Sequence, residues 1–269
     1  MNLRGDPDIV GGEPAGASGA SLVERRSAGI DALVHGVGPD AKAAVLAMAG
    51  PRRHLVRGEA LYIAGSSASA LYLVHAGTVK SLVGLQDGRR QAVGYHIMGD
   101  VVGLPGLATG THPDDAVACE DAEIATLDYA ELARLARAHP RLHANLTRLL
   151  AVATSGGRDA MLRLRSGKAS ARLAAFLIAL ERRLAQRGVP AGALPLALNN
   201  HEIGSLIGLT GETVSRCLSA FTREGLIARG PGNVTVIDRG GLQQLAAAAL
   251  GVEAVPGTVA PGERPRDDD

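Results

Sequence analysis

The chain has no tryptophan, and two Phe and four Tyr are its only other aromatics in 269 residues. So few flat rings cannot build the stacking platforms that single-strand nucleic-acid binders use, and the cores must be made of Leu, Val, Ile and Ala. Cysteine occurs only twice, at Cys119 and Cys217. Two thiols so far apart are no disulfide framework, and a reducing cytoplasm is the expected compartment. Nothing approaches about eighteen uninterrupted apolar residues, and the start of the chain has no charged-then-apolar signal pattern. A soluble protein with no membrane association is expected. Net charge is also nearly absent, 28 basic against 27 acidic residues. Between Arg90 and Arg134 there is no Lys or Arg at all.

The charge that exists is unevenly placed. Residues 158–248 hold twelve Lys/Arg against six Asp/Glu, whereas residues 1–157 hold fourteen against sixteen and the tail from 249 two against five. A cationic C-terminal half is what a phosphate-binding domain requires, although eight of the twelve lie between Arg158 and Arg187, where part of the surplus is simply solvated. The length favours two domains, and 46% hydrophobic residues suffice for their cores. Five segments follow. Residues 1–30, with six glycines and two prolines, read as a disordered extension. Residues 31–138 carry a short helical pattern from Ala41 to Met48. Short β-like runs follow it, separated at Gly58, Gly65, Asp87-Gly88, Gly99-Asp100 and His112-Pro113. That spacing predicts a compact all-β barrel or roll. A helix over Ala130–Ala138 closes it. Residues 139–166 predict a long helix whose Leu146, Leu150, Ala153, Gly157, Met161 and Leu164 recur at spacings of three and four. Such a stripe is a candidate dimer seam, with small residues where two helices can approach closely; packing on its own β-domain is the alternative. Residues 167–248 form the second domain, and residues 249–269 an unstructured tail.

Within the second domain an amphipathic helix from Ser170 to Arg187 precedes the run NNHEIGSLIGLTGETVSRCLSAFTRE (199–224). Ile203, Leu206 and Ile207 give a short first helix its apolar stripe, and Gly208 suits a helix end that needs positive φ. Thr210 is a credible N-cap for a second helix, on which Val214, Leu218 and Phe221 mark the buried face. Glu212, Ser215 and Arg216 stand on the opposite face near its start, with Thr210 and Thr213 beside them. This is the pattern of a helix-turn-helix that offers its second helix to the major groove of double-stranded DNA. Two β-segments, Leu226–Ala228 and Val234–Ile237, flank the turn residues Gly230-Pro231-Gly232-Asn233 and supply a wing. A regulator that reads two half-sites is expected to be a homodimer.

A β-roll, a long dimer helix and a C-terminal winged helix, in that order, resemble the Crp/Fnr family of bacterial transcription regulators. The Fnr branch is nearest, in RLAAFLIALERRLAQRG (172–188), IGSLIGLTGETVSR (203–216) and HAGTVKS (75–81). The resemblance implies an α+β fold: a cyclic-nucleotide-binding-like jelly roll, a dimerisation helix and a winged helix-turn-helix. It implies no catalysis and a Glu-x-x-Ser-Arg reading signature, here Glu212, Ser215 and Arg216. It also implies a palindromic operator close to TTGAT-N4-ATCAA and a contact with RNA polymerase. The sequence departs from the family at the sensor. The Fnr iron–sulfur cluster needs four cysteines, and no cysteine precedes Cys119. The phosphate-binding Arg-Ser or Arg-Thr pair of the cyclic-AMP branch has no counterpart, and Asp114-Asp115 sit near its place. No cofactor is therefore expected, and the roll either takes an unidentified ligand or has become structural.

Eight histidines invite a metal or haem site, and His75, His96 and His112 fall in the roll. None has a paired spacing, and all three read as ordinary histidines. A metal-dependent enzyme on a cupin-like roll is the alternative from another class, without the clustered His and Glu ligands it needs. Cys119 reads as a small buried hydrophobe, and Cys217 as facing the supporting helix.

Overall fold

The computed structural model describes residues 30, 33–151, 167–230 and 232–250. Between residues 53 and 128 the alternation of apolar runs and turns yields eight strands: β1 (Arg53–Leu55), β2 (Ala60–Tyr62), β3 (Ala70–Ala76), β4 (Val79–Gly84), β5 (Arg90–His96), β6 (Val101–Val102), β7 (Asp115–Ala118) and β8 (Ala122–Asp128). They make two four-stranded sheets, ordered β1-β8-β3-β6 and β2-β7-β4-β5. Every pairing in them is antiparallel. Most strands that follow one another in sequence pass from one sheet to the other, and the result is a jelly roll. Its interior is aliphatic, with Leu55, Leu61, Val74, Val79, Ala116 and Ile124 meeting between the sheets.

Helices cover one side of the roll. They are α1 (Pro39–Met48), α2 (Tyr129–Ala138) and α3, residues 140–151. Asp128 ends β8 and starts α2, because its carboxylate accepts the Glu131 amide at 2.8 Å and satisfies one of the free donors of the first turn. Leu132, Ala136, Leu142 and Leu146 bury the inner faces of α2 and α3 against Val34, Val45, Leu71 and Leu127. Asn145 donates to the carbonyls of Leu33 and His35 at 2.7 and 3.0 Å and ties α3 to the segment before α1. The expected long helix is thus helical from 140 to 151; its remainder to 166, the extension up to 29 and the tail from 251 lie outside the described residues.

The second unit runs α4 (Ala169–Ala185), β9 (Ala193–Pro195), α5 (Asn200–Ile207), α6 (Gly211–Arg223), β10 (Ile227–Gly230), β11 (Asn233–Val236) and α7 (Arg239–Leu250). Two of these go beyond the sequence reading. Strand β9 adds a third member to the wing, in the order β10-β11-β9. Helix α7 packs along α4, with Arg239 held 3.1 Å from the buried carboxylate of Glu181. The core gathers Leu173, Leu177 and Leu180 of α4, Ile203, Val214, Leu218 and Phe221 of the helical pair, and Leu242 of α7.

The two units share an interface. Tyr95, Ile97 and Cys119 of the roll join the core of the second unit, and Leu206 of α5 packs against Leu82, Ala92 and Val117 of the roll. Ion pairs flank the contact: Lys80 with Glu202, and Asp100 with both Arg183 and Arg187. Among the described residues no helix is long and apolar enough to cross a membrane.

Candidate DNA-reading interface

Helix α5 begins with a reciprocal cap. Asn199 accepts the Glu202 amide at 2.9 Å, and the Glu202 carboxylate accepts the Asn199 amide at 3.0 Å. Two otherwise unpaired donors are satisfied at once. The Asn-x-x-Glu spacing carried that signal in the sequence. The helix ends at Gly208, with φ 67° and ψ 41°, a left-handed conformation that side chains rarely tolerate. The chain then folds back so tightly that the Leu209 amide bonds to the Gly204 carbonyl at 2.8 Å. A Cβ on Gly204 would stand 2.4 Å from the Leu209 carbonyl oxygen, so this turn requires a residue with no side chain there.

Thr210 caps α6 as the sequence suggests, its hydroxyl accepting the Thr213 amide at 3.2 Å. Val214, Leu218 and Phe221 are buried. The other face is turned to solvent: the side chains of Glu212 and Arg216 are 80% and 71% exposed, with their charges 3.8 Å apart. Arg216 also reaches the Thr213 hydroxyl at 3.5 Å, and the Thr210 and Thr213 hydroxyls are 2.9 Å from each other. Ser215 is half-buried beside them. The five residues therefore share the first turns of one helix. They present a guanidinium fork that matches O6 and N7 of guanine, a carboxylate that accepts from a cytosine amino group, and hydroxyls that meet several partners. Arg223 and Arg229, at the end of α6 and on the wing, are exposed and add charge suited to phosphates. Sequence reasoning missed Arg172 of α4, whose guanidinium donates to the carbonyls of Ile207 and Gly208 at 3.3 and 3.1 Å.

In the roll, Asp115 is only 8% exposed. Its carboxylate takes the Ala64 amide at 2.8 Å and the Arg90 guanidinium. An anionic ligand would want those same donors, and they are engaged by a residue of the protein. Asp114, equally enclosed, accepts from the Tyr62 hydroxyl at 3.3 Å. Burial, and then the Asp114 charge, raise the Tyr62 pKa. His112, 2% exposed, stacks on the Tyr62 ring with centroids 3.6 Å apart and planes 8° from parallel. Neither of its ring nitrogens has a hydrogen-bond partner among the described residues, and burial lowers its pKa.

The thiols do not fit a cluster. Cys119 lies in the core with its pKa pushed up to about 11 by burial, while Cys217 is half-buried in α6 and raised for the same reason. Two thiols on separate elements are half of what a four-thiolate cluster takes.

Of the seam residues, Leu146 is 5% exposed and packed within its own chain, and Leu150 is half-buried. Ala153, Gly157, Met161 and Leu164 lie outside the described residues.

Residues 171–245 match the Crp-like helix-turn-helix domain and residues 52–139 the cyclic nucleotide-binding domain. The chain is 34% identical over 201 residues to the fumarate nitrate reduction regulatory protein of Klebsiella oxytoca, across 75% of this chain and 80% of that one. It is equally 34% identical to the fumarate and nitrate reduction regulatory protein of Escherichia coli strain K12, over 195 residues, 72% of this chain and 78% of that one. Among solved structures, FixK2 from Bradyrhizobium japonicum superposes with a TM-score of 0.66 at 32% identity, covering 74% of this chain and 98% of that one. A CRP-family transcriptional regulator from Thermus thermophilus gives a TM-score of 0.59 at 26% identity, with the same coverage of 74% and 98%.

Proposed function

The chain belongs to the Crp/Fnr family of DNA-binding transcription regulators, and from that premise we propose that it acts as a homodimer on an inverted repeat close to TTGAT-N4-ATCAA. The observation that carries this reading is the division of α6: three apolar side chains buried on one face, and Glu212 and Arg216 exposed on the other. Arg216 forks onto the guanine of each half-site, and Glu212 accepts from the cytosine paired with it or with its neighbour. Ser215, Thr210 and Thr213 complete the contact, and the wing follows the phosphates. With Leu146 packed in its own chain, the rest of the seam, from Leu150 to Leu164, joins two copies, which places two recognition helices on two half-sites. RNA polymerase is the protein partner of the bound dimer.

The signal entering the roll is neither an iron–sulfur cluster nor a cyclic nucleotide. Two scattered thiols support the first statement, and the engagement of Asp115 with Arg90 and the Ala64 amide supports the second. The proteins this chain resembles are named as regulatory proteins and as a transcriptional regulator, so a metal-dependent enzyme on the same roll is not favoured.

Fluorescence anisotropy tests the reading. Wild-type protein should bind the inverted repeat at least about tenfold more tightly than a duplex whose G·C pairs are replaced in both halves, since one mismatched pair costs about 1–3 kcal/mol. Equal affinity for the two duplexes would refute the proposed operator. Cyclic AMP should leave both affinities unchanged.

A further inference from the structure

Helices α5 and α6 turn about Gly208, and the carbonyls of Ile207 and Gly208 are left at the end of α5 without continuing helix to bond them. Helix C-termini carry partial negative charge there, and a cation in the last turn neutralises it. The neighbouring residues of α5 and α6 do not supply one: from Asn199 to Ser215 the chain has no Lys or Arg. The cation comes instead from α4, where Arg172 brings one guanidinium nitrogen to both carbonyls. Arg172 is half-buried; its bond to the Ile207 carbonyl is partly buried and the one to Gly208 is exposed.

We infer that Arg172 is a positioning residue for sequence reading, fixing the angle between α5 and α6 through the carbonyls of the turn. Gly208 is two residues from the cap Thr210 and four from Glu212. The turn has little freedom elsewhere, because Gly204 and Leu209 are already in backbone contact. Once the carbonyls are released, the remaining freedom is a tilt of α6 about its start. Base reading depends on bidentate geometry and suffers from a tilt, whereas phosphate attraction tolerates it. Arg172 therefore acts on discrimination between sequences, not on overall attraction to DNA.

This inference rests on the DNA-reading function proposed above, and the test separates the two. Wild-type protein first selects its preferred site from random-sequence DNA. Full-length wild type, Arg172→Met and Arg172→Lys are then compared on that site and on a random duplex at several salt concentrations, with urea unfolding alongside. Arg172→Met should lose about tenfold on the selected site and stay within about twofold on the random duplex, with an unchanged salt slope. Arg172→Lys should recover part of the loss, since an ammonium reaches a carbonyl with less accurate geometry. If random binding fell in the same proportion and the salt slope dropped by about one, Arg172 would be a phosphate contact and the inference would be wrong. It would be equally wrong if stability fell while the ratio of the two affinities held. Should the Met variant not fold, Arg172→Lys decides, with about threefold loss of the ratio expected and an unchanged ratio overturning the inference. A wild type that selects no site at all would sink the DNA-reading function itself.

Discussion

Arg216 and Glu212 lie one helical turn apart, their charges 3.8 Å from each other and both side chains in solvent. Such an exposed pair is worth little in the free protein, so parting it for DNA costs little. Arg216→Ala should weaken binding to the inverted repeat by about 1–3 kcal/mol per half-site and flatten the preference at the G·C pair. Random DNA should be held nearly as before, because that attraction comes from phosphates and varies with salt. Glu212→Ala should relax the choice of base while total affinity stays level or rises, since a carboxylate beside phosphates is repelled. Competition titrations with permuted duplexes read both changes; proportional losses on every duplex would demote the two residues to simple anchors. His112 makes a different prediction. Its folded pKa is lowered by burial, so below the unfolded value near 6.5 the unfolded chain binds the proton first. The stability contributed by neutral His112 is full above about pH 6.5 and is lost as pH falls toward the folded pKa. His96 is lowered by burial as well and shares the trend. His112→Phe keeps a ring on Tyr62 and should shrink the loss of urea midpoint between about pH 7.5 and 5.5; an undiminished loss would clear His112 of any part in it.

At the scale of elements, the α5–α6 turn gives the clearest expectation. Gly204→Ala drives a methyl against a backbone carbonyl 2.4 Å away, and backbone yields less readily than a side chain. A destabilisation of about 1–3 kcal/mol is expected in urea unfolding, with weaker specific DNA binding in the folded fraction; an unaffected protein would mean the turn relaxes freely. Gly208, the Thr210 cap and the Val214, Leu218, Phe221 stripe were all legible in the sequence, because each is a local rule about backbone angle, capping or helical period. The roll was legible for a similar reason, since turn residues punctuate its short apolar runs. Elements that owe their existence to partners were not. Ala193–Pro195 is three residues long and includes a proline, and it is a strand only because β11 lies beside it. Arg172 looked like one more cation on an amphipathic helix, and nothing local says that its target lies 35 positions further on. Lys80 and Glu202, 122 positions apart, are beyond any local rule.

For the whole molecule, the proposed assembly turns on α3. Leu146 is committed to the core of its own chain, so Leu150, half-buried, is the better probe of the proposed seam. Leu150→Glu should set two like charges against each other between copies, shift sedimentation toward monomer and weaken operator binding more than random binding. A variant that still sediments as a dimer would place the contact elsewhere. The roll and the second unit meet through Asp100, Lys80, Tyr95 and Ile97 on one side and through α4 and α5 on the other. Glu212, Ser215 and Arg216 are not among the residues of these contacts. The proposed reading residues are therefore free to drift: a duplicate gene could change Glu212 or Arg216 and acquire a new operator without disturbing how the halves fit. The halves themselves are not interchangeable parts. A chimera that set a foreign roll on this DNA-binding unit would strand Arg183 and Arg187 opposite whatever replaced Asp100, and Leu206 against a surface not shaped for it. Descent within such a lineage should then show operators diverging quickly over a slowly changing joint.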